Sequence, residues 1–164
     1  MKRTGVIPAV MRGRTRADIV VCGPEGSGTR ALAVNLHRLC EPVGKMVRHQ
    51  SLPHGDWWWD AGAVRTEIPV VMVRRPDIST VAACNQGCTY TPEEAAAEWP
   101  RAIEILASLP GAIWVSYEAM TKHARVQLEN ICAELDVPFD ERLIDVGDEW
   151  WPWRDENEKY GVDR

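Results

Sequence analysis

The stretch Asp18-Ile19-Val20-Val21-Cys22-Gly23-Pro24-Glu25-Gly26-Ser27-Gly28-Thr29-Arg30-Ala31-Leu32-Ala33-Val34-Asn35-Leu36 decides how the rest of the chain is read. Its opening is a short apolar run rich in β-branched residues, the pattern of a strand buried on both faces. Three glycines and a proline then interrupt it, and Leu32, Leu36 and Leu39 follow at helical spacing. In a strand, glycine-rich turn and helix in that order, the glycines let backbone N–H groups approach an anion closely. The helix N-terminus adds a favourable dipole. An ordinary strand-to-helix turn is the competing reading, and the strong strand with its clean helix favours the anion site.

The nucleoside-triphosphatase pattern G-x-x-x-x-G-K-[ST] is half met. Gly23 and Gly28 keep its spacing, but Thr29 stands in place of the lysine and Arg30 in place of the magnesium-binding hydroxyl. Such a loop serves a magnesium–triphosphate complex poorly and a metal-free phosphate well. Its donors are the backbone N–H groups and the Ser27 and Thr29 hydroxyls. Arg30 either joins them or points outward from the helix.

The chain of 164 residues is long enough for one domain with a real core, and 45% hydrophobic with 26% charged residues is ordinary for a globular protein. Residues 1–17 carry Lys2, Arg3, Arg12, Arg14 and Arg16 with no acid, so the net charge of −5 leaves −10 on the remainder. That basic segment reads as a poorly ordered tail, with neither nucleic acid nor membrane as its expected partner. Five cysteines, odd in number and mostly in strand or helix positions, suit reduced thiols in a cytoplasmic setting, and neither a signal peptide nor a spanning helix is read.

Beyond the first helix (about 29–40), a turn at Glu41-Pro42-Val43-Gly44 leads to a short strand at 45–49 and a loop from Gln50 to Arg65. Ile68-Pro69-Val70-Val71-Met72-Val73 is a central strand ending in Arg74-Arg75-Pro76-Asp77, and a helix starts near Asp77. Thr91-Pro92-Glu93-Glu94 is a helix start with a capping threonine, proline at the first position and glutamate at the third. That helix runs to about Ser108 with Ala95, Trp99, Ile103 and Leu106 on one face, and Pro100 bends or divides it. A strand at 112–116 and a helix from about Lys122 complete an alternating pattern. The expectation is an α/β fold with a parallel sheet, right-handed crossovers and ligands at the carboxyl ends of the strands.

Gly26-Ser27-Gly28-Thr29-Arg30-Ala31-Leu32 resembles the 5′-phosphosulfate loop of sulfotransferases that use 3′-phosphoadenosine 5′-phosphosulfate, most of all the carbohydrate-directed branch. Val73-Arg74-Arg75-Pro76 resembles the family's V-R-x-P, whose arginine binds the 3′-phosphate together with a serine on the next helix. The family serine falls near Ala82 here, while Ser79 and Thr80 come a turn earlier. Leu52-Pro53 matches a Leu-Pro pair that in the family follows a histidine acting as base. Ser51 takes that place, and His49 and His54 flank it. Tyr117-Glu118 with the helix leading to Val137-Pro138-Phe139 is similar to a further family segment, in which the tyrosine and glutamate tie strand to helix. The likeness therefore runs from about Asp18 to Asp140. Asp155-Glu156-Asn157-Glu158-Lys159-Tyr160 resembles the ending of some bacterial and viral sulfotransferase-like proteins.

The resemblance implies a three-layer P-loop fold with a central parallel sheet of four to five strands flanked by helices, a single domain over residues 18–164. It implies transfer of a sulfuryl group from 3′-phosphoadenosine 5′-phosphosulfate to a hydroxyl of a small molecule or carbohydrate, without a metal. Gly23, Gly26, Ser27, Gly28, Thr29 and Arg30 would bind the 5′-phosphosulfate, Arg74 with Ser79 or Thr80 the 3′-phosphate, and His49, His54 and Arg30 would serve the chemistry. Gly26 departs from the family, where a lysine or arginine stabilises the leaving phosphate. Arg30, Lys45 and Arg48 are the cations available to replace it. A nucleotide kinase or triphosphatase and a non-catalytic nucleotide-binding module are the alternative readings. A metal site from His49, His54, Asp56 and Asp60 has no recognised ligand spacing.

Overall fold

The computed structural model describes residues 17–52, 67–77, 79–80 and 91–144. Four strands, β1 (Ile19–Pro24), β2 (Val47–Leu52), β3 (Ile68–Val73) and β4 (Ile113–Ser116), form one parallel sheet in the order β2-β1-β3-β4. Among the described residues, three α-helices accompany it: α1 (Thr29–Cys40), α2 (Pro92–Ala107) and α3 (Tyr117–Glu134). Every β1 residue is buried, because β1 pairs with β2 on one side and β3 on the other and is covered on both faces.

Strand alternation sorts the core into two layers. Ile19, Val21, Val70, Met72 and Val115 face Leu32, Leu36 and Leu39 of α1 and Leu128 and Ile131 of α3. Val20, Cys22, Leu52 and Val71 point the other way, onto Ala102 and Leu106 of α2. The result is a three-layer α/β sandwich. Each fully buried leucine contributes about 1.5–3 kcal/mol relative to an exposed one.

At the amino ends of the strands, one carboxylate joins three segments. Glu67 accepts from the Ala17 amide at 2.9 Å and from Arg48 Nε at 2.7 Å, and its second oxygen pairs with Arg48 Nη2. All of this is buried, and the ion pair fixes the strand starts.

Several local expectations change. Residues 50–52 belong to β2 and not to the following loop: Gly23 and Pro24 pair with Ser51 and Leu52, and this long-range pairing overrides the polar local sequence. Helix α2 runs unbroken through Pro100; the carbonyl that loses its donor belongs to Ala96, which is exposed and open to water. Its most buried residues are Ala102 and Leu106. Helix α3 starts at Tyr117, capped by the Ser116 hydroxyl, which accepts from the Ala119 amide at 3.3 Å. Non-helical angles at His123 separate this first segment from the part anticipated from Lys122 onward. The capping box at Thr91 and Glu94 forms as read. Among the described residues, no helix is long and apolar enough to cross a membrane.

Candidate anion site at the crevice between β1 and β3

From β1 the chain passes through α1 to β2 on one side, and β3 lies on the other. The strand order therefore reverses between β1 and β3, the point at which such sheets open a crevice beyond their carboxyl ends. The glycine-rich loop and Arg74 meet there.

Gly26 and Gly28 adopt left-handed φ of 75° and 77°, which only glycine takes without strain. At Gly28 a side chain would also run into the Tyr117 ring, and at Gly23 it would run into the Met72 carbonyl oxygen of the neighbouring strand. The loop is thus pinned between β3 and the start of α3. Two of its amides are used internally: Glu25 N–H donates to Leu52 O at 2.8 Å and Ser27 N–H to Pro24 O at 3.2 Å. Gly28, the residue preceding α1, offers no capping side chain, and the first turn of α1 holds no acid. This leaves the positive end of the helix facing the loop.

Arg74 is 3% exposed. Its guanidinium lies 4.1 Å from the centre of the Tyr117 ring, and Nη1 donates to Gly26 O at 3.3 Å. Arg75 is a surface residue: its side chain pairs with Asp77 at 2.7 Å and its amide donates to Glu118 at 3.0 Å. Glu118 also accepts from Ser116 Oγ at 3.0 Å, so it does tie β3, β4 and α3 together. Ser79 comes to the loop, donating to Glu25 O at 2.6 Å with its Oγ 3.4 Å from that of Ser27; both serines are buried. The Thr80 hydroxyl turns back to its own segment, donating to Asp77 O at 3.0 Å.

Along β2, His49 and Ser51 are two residues apart and share the α1 face. His49 Nε2 is 2.8 Å from Thr29 Oγ1 and 3.2 Å from Ser51 Oγ, and the two hydroxyls are 3.1 Å apart. Thr29 is the first residue of α1, so this three-membered cluster abuts the end of the helix that faces the loop. Ser51, which stands in the place of the family histidine, joins the cluster because its period of two from His49 puts both on one face. Tyr117 also belongs to the site, stacking on Arg74 as well as closing the back of Gly28.

Of the three cations considered for the place of Gly26, two are engaged elsewhere. Lys45 Nζ donates to the carbonyls of Leu135 and Asp136 at 2.6 and 3.3 Å, closing the C-terminus of α3. Arg48 is bound to Glu67 at the opposite end of the sheet. Arg30 is exposed on the first turn of α1. His54, Asp56, Asp60, Ala82, Cys84, Cys88, Lys159 and the tryptophan groups at 57–59 and 150–153 lie outside the described residues.

Cys22, Cys40 and Cys132 are free and buried. Burial pushes the Cys22 thiol up to about 12, opposed by the Arg48 charge, and the Cys40 and Cys132 thiols up to about 11. These are inert core groups rather than nucleophiles. No family model and no curated protein matches the chain.

Proposed function

We propose that this protein binds 3′-phosphoadenosine 5′-phosphosulfate in the crevice between β1 and β3 and transfers its sulfuryl group to a hydroxyl of a small molecule or carbohydrate. In this reading the loop of residues 23–29 and the N-terminus of α1 hold the 5′-phosphosulfate. Arg74, with Ser79 held against the same loop at Glu25, serves the 3′-phosphate. The acceptor oxygen attacks sulfur, the bond from sulfur to the 5′-phosphate oxygen breaks, and adenosine 3′,5′-bisphosphate leaves. The acceptor's proton goes to a base, the role that the resemblance gives to a histidine.

The observation that carries the reading is the meeting of the lysine-free glycine loop with a buried arginine at the point where the strand order reverses. A loop with Thr29 in place of lysine suits a phosphate held without a magnesium–triphosphate complex. An arginine on the neighbouring strand end suits a second phosphate on the same ligand.

A second reading, a module that binds the nucleotide without transferring sulfate, is favoured by one specific observation. Gly26 supplies no cation, and Lys45 and Arg48 are both engaged away from the loop. Exposed Arg30 is then the remaining one of the three cations considered for that place.

Calorimetric titration of Arg74→Ala separates a phosphate-binding arginine from one that only braces the loop. Loss of a charge-assisted contact worth about 1.5–3 kcal/mol should weaken adenosine 3′,5′-bisphosphate binding at least tenfold while AMP binding changes less than threefold. Equal losses for both ligands would reduce Arg74 to a brace for Gly26 and remove the assignment.

A further inference from the structure

The cluster of His49, Thr29 and Ser51 links the protonation of His49 to the direction of the Thr29 hydroxyl. His49 Nε2 carries either one lone pair or one proton, and the Thr29 hydroxyl, the nearer partner at 2.8 Å, has one proton to give. When Nε2 holds the lone pair, it accepts from Thr29 or from Ser51, and the nearer Thr29 proton is drawn toward the ring and away from the helix end. When Nε2 holds a proton, as in one neutral tautomer and always in the imidazolium, Nε2–H donates to Thr29 Oγ1 and the Thr29 proton is released to donate to an anion at the first turn of α1. Only the imidazolium also adds a positive charge. A donor chain that begins on a cation is polarised and roughly twice as strong as a neutral one.

We infer that anion binding at the loop is coupled to protonation of His49, with Thr29 as the residue that transmits it. This rests on the anion-site reading above and deepens it. The positive charge that Gly26 cannot supply then comes from β2, through a hydroxyl, and His49 acts as a positioning residue for Thr29. The proton taken up by His49 stays on the ring while the anion is bound, so the acceptor's proton goes to another base.

Among the described residues, the titratable and charged groups on the elements around His49 are few. On β2, Arg48 faces the opposite layer and is neutralised by Glu67. On β1 the one ionisable side chain is Cys22, a buried thiol of that same opposite layer. On α1, Arg30 is exposed at the near end, and His37 and Arg38 sit in the last turn. Glu25 and Arg74 are the charged residues of the loop and of the end of β3.

Inorganic sulfate is the suitable probe, because it keeps its double charge across the pH range in which histidine titrates near 6.5. Sulfate affinity of the full chain is measured by calorimetry at constant ionic strength between pH 5.5 and 8.5, for the wild type, His49→Gln, Thr29→Val and Thr29→Ser, each checked for folding by circular dichroism. The expected result is a wild-type affinity at least fivefold higher at pH 6 than at pH 8. Thr29→Ser, which keeps the hydroxyl, retains that ratio. His49→Gln and Thr29→Val change less than twofold over the same interval. A wild type that binds sulfate without pH dependence, or not at all, overturns the coupling, and so does a slope that survives in either His49→Gln or Thr29→Val. If one of these two fails to fold, the other decides with Thr29→Ser. A His49-dependent sulfate slope in a protein that ignores adenosine 3′,5′-bisphosphate would retire the sulfotransferase reading and leave the coupling standing. Bisphosphate binding beside a flat sulfate profile would do the reverse.

Discussion

At the scale of single residues, the glycines of the loop are required for different reasons, and the difference is measurable. Gly28 needs its left-handed φ of 77° and a clear face for Tyr117, whereas Gly23 needs the absence of a side chain so that β1 can pair against the Met72 carbonyl. A ring can yield slightly, but a backbone oxygen in a paired strand cannot without parting the sheet. Gly28→Ala should therefore lower stability by about 1–3 kcal/mol. Gly23→Ala should cost more than Gly28→Ala, and urea unfolding of the two variants checks the order. The buried thiols set a second residue-level expectation. Their folded pKa values lie above the usual thiol value of 9.0, so the stability they contribute is complete below pH 9 and is lost as pH rises toward 11–12. The urea midpoint of the wild type should fall between pH 9 and 10.5, and should fall less steeply in Cys22→Ala; equal slopes would remove the thiol's part in it.

Elements show where local signals suffice. Helix α2 is specified at its start by Thr91, whose Oγ1 accepts from the Glu94 amide at 3.2 Å while the Glu94 carboxylate accepts from the Thr91 amide at 2.9 Å. Removing the cap with Thr91→Ala should cost about 1 kcal/mol. Pro100 opposes the same helix from within, and because Ala96 is exposed its carbonyl is left open to solvent. Pro100→Ala restores the missing donor and should raise stability, by up to about 3 kcal/mol. A thermal denaturation series of both single variants tests the pair, and a Pro100→Ala protein less stable than the wild type would show that the proline fits a bend the helix needs. Strand β2 is the contrasting case. Gln50 and Ser51 are polar enough to read as loop, and their strand character comes from pairing with β1.

Across the whole molecule, the legible parts were those written in contiguous residues. The apolar runs of β1 and β3, the leucine spacing of α1 and the capping box of α2 each carry their signal within a few positions, and alternation of strands with helices then implies the parallel sheet. The rest depends on residues distant in sequence. That Lys45 closes the end of α3 and Arg48 binds Glu67 follows from contacts spanning 90 and 19 positions, so neither could be excluded from the site by reading alone. His49 was a candidate from its neighbourhood to Leu52-Pro53, but its bond to Thr29 requires the parallel register of β1 and β2. Arg74 is preferred to Arg75 in the sequence through the V-R-x-P resemblance, and the two differ in placement: Arg74 is buried beside the loop and Arg75 is paired on the surface.

The central claim is that the crevice between β1 and β3 is built for a nucleotide bearing both 5′- and 3′-phosphates. Thermal unfolding of the full chain with adenosine 3′,5′-bisphosphate, and separately with ATP and magnesium, tests it most directly. A ligand at a hundred times its dissociation constant stabilises by about 2.7 kcal/mol, a rise of roughly 5–10 °C for a chain of this size. The predicted result is a rise of that order with the bisphosphate and a smaller one with magnesium ATP. A larger rise with magnesium ATP, or none with the bisphosphate, would contradict it.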